Sequence, residues 1–314
     1  MVTLKVTKGK VPFPHPSLPA NSNPQTSYLI LGDLSAGGTP LVALHGGPGI
    51  PHVYLLPLLK HYHRRTKTPV LLYDQIGCGA STRYPATRGD ESLWTVALFV
   101  AELENLLARL GVGRFDLYGH SWGGMLAAVV ATASASPALA PRVRRLVLGS
   151  APASLRLWEA AQREWLREMP GAVREAIERA EESGEYESEE YQNAVMEYYK
   201  VHMCNIWPFP AVVAEAFEEL EKDSTVYETM NGPSEITIIG NLKTYDWVER
   251  CREIEAPTLI VHGEVDEASE LVVQPWARNI ADSQLKMIEK GTHMVHLEQL
   301  EKYSSILESF LQGE

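Results

Sequence analysis

Residues 117–124 read Leu-Tyr-Gly-His-Ser-Trp-Gly-Gly, and this stretch constrains the fold more than any other. Residues 115–118 are a short apolar run of strand length, and residues 125–135 carry the small, apolar side chains of a helix packed against a sheet. Ser121 therefore sits at the apex of a sharp strand-to-helix turn, between Gly119 and Gly123. Glycine is required on both sides because the serine backbone is strained and the helix must approach its strand closely. Such a turn exposes Oγ and aims the first N–H groups of the helix at an incoming oxyanion, which is the geometry of a nucleophile elbow.

Other strand-like runs end in loops that carry chemistry. Residues 40–44 lead into His45-Gly46-Gly47-Pro48-Gly49, whose N–H groups no side chain shields, so the loop suits a second oxyanion donor. Residues 69–73 end in Asp74-Gln75, where Asp74 reads as a loop-holding acid, and Cys78 as a small buried filler close to the site. Residues 92–110 have the apolar spacing of a core helix. Strand and helix alternate as far as residues 144–148, which predicts a mainly parallel sheet with helices on both faces.

Past residue 150 the pattern changes. Residues 155–255 hold 23 acids and 10 bases, a net of −13, against 17 acids and 18 bases elsewhere. Helical runs without a core strand, at 158–167, 171–183, 189–202 and 211–221, predict an inserted helical cap that favours cationic substrates. The chain divides accordingly into core residues 1–153, cap residues 154–245 and core residues 246–314. Strand-like residues 257–261 then deliver Gly263-Glu264-Val265-Asp266-Glu267, and the last strand, 285–288, delivers Lys290-Gly291-Thr292-His293. A serine, an acid and a histidine in that order, each in a loop after a parallel strand, is the triad order of the α/β-hydrolase fold. Ser121, Asp266 and His293 are the expected nucleophile, orienting acid and base; Glu264 and Glu270 are the alternatives to Asp266.

The 314 residues are 45% hydrophobic, enough for a large core, and carry a net charge of −12 with no Lys/Arg-rich run, which argues against nucleic acid or an anionic membrane as partner. The first ten residues lack the apolar core of a signal peptide. Three widely spaced cysteines, Cys78, Cys204 and Cys251, suggest neither disulfides nor a metal site, and a cytoplasmic location is expected. No cofactor or metal is expected either.

HGGPG at 45–49, DQ-x-GCG-x-S at 74–81, GHSWGG at 119–124, NGPSE at 231–235 and GE-x-DE at 263–267 together make the chain closely resemble the proline iminopeptidases. These are α/β-hydrolase-fold serine aminopeptidases, related to tricorn-associated aminopeptidases and amino-acid amidases. The resemblance implies backbone oxyanion donors at Gly47 and Trp122, with Gly46 beside the substrate, and places two amine-anchoring glutamates at Glu235 and Glu267. It implies an acyl-enzyme aminopeptidase releasing an N-terminal residue, proline or small apolar, from a small peptide or amino-acid amide with a free amine. The family usually has arginine where this chain has Ile76 and Ala80, which leaves proline selectivity open. A tailoring hydrolase of a small-metabolite ester, lactone or amide is the alternative, and a non-catalytic receptor, which would not need the triad, is a third.

Overall fold

The structure is a computed structural model that describes residues 4–20 and 22–313; residues 1–3, 21 and 314 lie outside it. The segment of residues 1–24, as far as it is described, is a strand followed by an irregular crossing. It contains β1 (Val6–Pro12), paired antiparallel with β2 (Gln25–Leu31) from Val6 opposite Leu31 to Pro12 opposite Gln25. Then come β3 (Leu41–Leu44), α1 (Leu56–Thr66), β4 (Val70–Asp74), α2 (Val96–Arg109), β5 (Phe115–His120), α3 (Trp122–Ala131) and β6 (Val143–Gly149). Five helices follow without a strand in the sheet: α4 (Leu155–Glu168), α5 (Gly171–Ser183), α6 (Glu189–His202), α7 (Ala211–Lys222) and α8 (Thr225–Met230). The chain re-enters the sheet with β7 (Thr258–Gly263), α9 (Glu270–Asn279), β8 (Ser283–Ile288), α10 (Val295–Glu298) and α11 (Leu300–Gln312).

The eight strands form one sheet in the order β1-β2-β4-β3-β5-β6-β7-β8, in which β3 to β8 run parallel and β1 and β2 add an antiparallel edge. The sheet is buried on both faces because its strands are apolar at consecutive positions. Side chains alternate between two cores: Val42, Leu44, Leu71 and Tyr73 face the layer of α2, α3 and α9, whereas Leu41, Ala43, Val70 and Leu72 face that of α1 and α11.

Chain order along the sheet reverses at β3. Its neighbours are β4, next in sequence, and β5, which lies on its other side, and at such a switch point the loops beyond the strands' carboxyl ends separate and leave a crevice. Leu44 at the end of β3 pairs with Gly119 near the end of β5, so the glycine-rich loop and the Ser121 turn emerge side by side.

Helices depart from the sequence expectation at α3, which ends at Ala131 where Thr132 turns extended although the apolar run reaches residue 135, and at α2 and α8. α2 begins at Val96, because the Asp90 carboxylate accepts the N–H groups of Ser92 and Leu93 in a separate turn, and Thr95 caps the helix by accepting Leu98 N–H. α8 was not expected; six residues are too few to show a period. An isolated antiparallel bridge between Ser154 and Asp246 ties together the two ends of the helical insertion. No helix among the described residues is long and apolar enough to cross a membrane.

Candidate active site

Ser121 has φ 56° and ψ −126°, a backbone conformation that a non-glycine residue adopts only under constraint. Its neighbours impose it. Ser121 N–H donates to Gly149 O (2.9 Å), and Gly124 and Met125 N–H close the first helical turn on Ser121 O. A Cβ at Gly119 would collide with the Gly123 backbone, and one at Gly123 with the carbonyls of Leu44 and His45. As the first residue of α3, Trp122 has an N–H with no carbonyl four residues back within the helix to receive it.

Asp266 and His293 meet in the loops after β7 and β8. Asp266 Oδ1 lies 2.8 Å from His293 Nδ1, so that nitrogen carries the proton and Nε2 is left as the free position. Ser150 Oγ (2.6 Å) and Gly263 N–H (3.2 Å) donate to Oδ2, and Ala268 N–H (2.7 Å) donates to Oδ1. Burial raises a carboxyl, but the imidazole and these donors outweigh it and hold Asp266 below its ordinary range. Burial likewise depresses His293, yet the Asp266 carboxylate, with Glu267 and Glu235 behind it, raises it to about 9. The rings of His120 and Trp158, centred 4.9 and 5.7 Å away, flank the imidazole. The two alternative acids sit elsewhere: Glu264 accepts Lys290 N–H, and Glu270 accepts Gln274 Nε2 on an exposed helix face.

Ser121, His293, Glu235, Glu267, Gly46 and Gly47 line one cavity, together with Tyr199 and Phe217 from α6 and α7. It offers about 30 Å³ to the centres of water molecules, room for one or two of them. Gly46 lines it, but Gly46 N–H is already donated to Tyr54 Oη (2.7 Å), so that group is not free for a substrate. Glu235 accepts the Tyr227 hydroxyl at 2.8 Å, and its backbone is pinned by Trp158 Nε1 on its carbonyl and Tyr199 Oη on its N–H. Both carboxylate oxygens of Glu267 are buried without a hydrogen-bond partner among the described residues. Burial raises both acids, Glu267 most strongly.

Asp74 accepts His52 Nδ1, His52 N–H and Ala80 N–H, holding its loop as the sequence suggested. Cys78 is buried behind His45 and does not line the cavity. No group of three or more His, Cys, Asp or Glu residues among the described ones is arranged to hold a metal ion. Sequence reasoning missed Ser150, Tyr54, Gln75 and the bridging use of His120. Gln75 Nε2 donates to His45 O while its Oε1 accepts Trp122 Nε1, tying the glycine-rich loop to the serine turn. Ser150 follows β6, which lies between the serine strand and the acid strand, a neighbourhood that only the sheet order reveals.

The sequence profile of the α/β hydrolase fold family matches residues 39–300. A proline iminopeptidase of Heyndrickxia coagulans is 35% identical over 90% of this chain and 93% of its own. Among solved structures, the protein VinJ is 37% identical with a TM-score of 0.90, and a Mycobacterium smegmatis proline iminopeptidase is 33% identical with a TM-score of 0.86; each comparison covers 98% of both chains. The serine turn, the Asp266–His293 pair and this likeness along nearly the whole chain agree: the protein belongs to the proline iminopeptidase family of α/β-hydrolase-fold hydrolases.

Proposed function

We propose that the protein is a serine aminopeptidase that releases an N-terminal residue, proline or a small apolar one, from short peptides or amino-acid amides. The observation that carries this reading is the pair of buried carboxyls, Glu235 and Glu267, in the same small cavity as Ser121 and His293. A buried carboxylate without a partner is costly, and a cation between the two removes that cost. The free α-amine of a substrate is such a cation. Charge-assisted hydrogen bonds to both acids set the first residue's carbonyl against Ser121 Oγ.

In the proposed chemistry, Ser121 Oγ attacks that carbonyl while His293 Nε2 takes its proton. Gly47 and Trp122 N–H hold the oxyanion, as Asp266 steadies the imidazolium. The C–N bond then breaks, and His293 returns the proton to the departing amine. Water, deprotonated by His293, attacks the acyl-enzyme, and the released amino acid and Ser121 hydroxyl restore the starting state. The ammonium favours the charged form of both glutamates and so offsets the cost of burying them. Three buried free thiols fit a reducing cytoplasm.

The test is hydrolysis of aminoacyl arylamides, headed by the prolyl compound, each free and N-acetylated, with Ser121→Ala as blank. We expect cleavage of the free compounds alone, and at least a tenfold loss in kcat/KM for Glu235→Gln, about 1.4 kcal/mol of transition-state binding. Equal cleavage of acetylated compounds would overturn the amine anchor, and activity on esters alone would point to a small-metabolite acyl hydrolase.

A further inference from the structure

We propose that a second cavity, within the cap, holds the leaving-group side of the substrate and selects an apolar amine without a carboxylate. The inference rests on the amine-anchored reading of the Ser121 site. The cavity lies among α6, α7, α8 and the loop at 232–239, and has about 680 Å³ on the measure that gives about 30 Å³ at Ser121. The larger value lies in the range of ligand sites.

Tyr199 and Phe217 belong to the walls of both cavities, and Tyr227, whose hydroxyl holds Glu235, lines the cap cavity as well. The two spaces are therefore neighbours across a thin aromatic partition. Tyr199 is pinned by Glu235 N–H, whereas Phe217 is half-buried and meets its neighbours through ring contacts, with Tyr199 and Phe209 centroids 6.3 and 6.2 Å away. Phe217 is thus the side chain free to swing aside. It must do so, because one or two waters' room admits no aminoacyl group. With the substrate's amine end closed by Glu235 and Glu267, everything beyond the scissile bond has to trail outward, and the cap cavity is the large space that adjoins.

Its walls specify what trails. Val195, Met196, Phe209, Leu220 and Ile239 are apolar, and no Lys or Arg lines the cavity. Glu187 and Glu221 on its rim are exposed, and Glu228 is engaged by Arg88. A free peptide carboxylate would meet negative charge with no cation to receive it, whereas an alkyl or aryl amine would bury apolar surface.

The experiment compares kcat/KM for three leaving groups on the best aminoacyl unit: ammonia from the primary amide, an octyl amine, and an amino acid with a free or amidated carboxyl. We expect the octyl amide to exceed the primary amide at least tenfold, and the free dipeptide to fall at least tenfold below its amidated form. Met196→Trp, which fills the cavity, should reduce the octyl-to-primary ratio to within threefold of unity. Leu220→Lys should narrow the penalty on the free carboxylate, a gain that damage to the fold cannot mimic. An octyl advantage that is absent, or one that survives Met196→Trp, overturns the proposal. Cleavage of N-acetylated substrates instead sinks the amine anchor beneath it, and is read independently of these ratios.

Discussion

His120 joins the glycine-rich loop to the histidine loop through a chain whose proton positions are fixed. His120 Nε2 is 3.0 Å from His293 O, and since a carbonyl only accepts, Nε2 carries the proton. Burial among other histidines holds His120 well below its ordinary pKa, so Nδ1 is bare and accepts the Tyr54 hydroxyl at 3.0 Å. Tyr54 Oη in turn accepts Gly46 N–H. Tyr54→Phe leaves both Gly46 N–H and His120 Nδ1 buried and unpaired, a cost of roughly 1–3 kcal/mol. If that cost falls on the placement of Gly47 and His293, kcat drops roughly 5- to 100-fold while KM changes little. Steady-state kinetics check this, and an unchanged kcat would show that the chain serves folding alone. The loop positions of Ser121, Asp266 and His293 were legible because each follows directly on a strand. The Tyr54–His120 link was not, since it joins positions 66 residues apart whose neighbourhood only the sheet order creates.

At the scale of elements, the parallel strands were legible to within two residues because apolar runs bounded by glycine or proline leave little choice. α8 and the true start of α2 were not, because a short cap helix and an Asx turn have no periodicity. The least visible feature is Glu102, which lies on the core face of α2 and is fully buried. It accepts Thr26 Oγ1 and Ile76 N–H, bracing β2 and the loop after β4 against α2. Burial pushes it up to about 8, although those donors pull the other way. A carboxyl raised on folding stabilises the fold fully below its unfolded pKa, and that stability is lost as pH rises through about 8. We expect wild-type unfolding free energy to fall between roughly pH 4.5 and 8 by more than in Glu102→Gln, which cannot ionise. Denaturant melts across that window decide it, and parallel pH profiles for the two proteins would rule Glu102 out as the source.

For the whole molecule, the sheet supplies the proposed triad and the cap supplies Glu235, so the proposed site exists only where the two parts close on each other. The acidity of the cap was legible from residue counts, but which of the 19 acids in residues 154–245 faces Ser121 was not, because most of them solvate helix surfaces and only the three-dimensional path of the chain sets Glu235 apart. That contribution has a signature in the pH profile. In the proposed mechanism His293 works as a base only when neutral, and the carboxylates around it raise it to about 9, so kcat/KM of the free enzyme should climb with pH and level off near that value. Asp266 is the chief of these carboxylates, and Glu267 and Glu235 add to it. Glu235→Gln removes one source of negative potential, so the acidic limb moves to lower pH, while the maximum falls through loss of the proposed amine anchor. The two effects have opposite consequences at low pH and are separable in one titration of kcat/KM. A limb that stays in place while the maximum falls would mean that Glu235 holds the substrate but leaves the proton on His293 untouched, and the cap would then contribute binding without tuning the base.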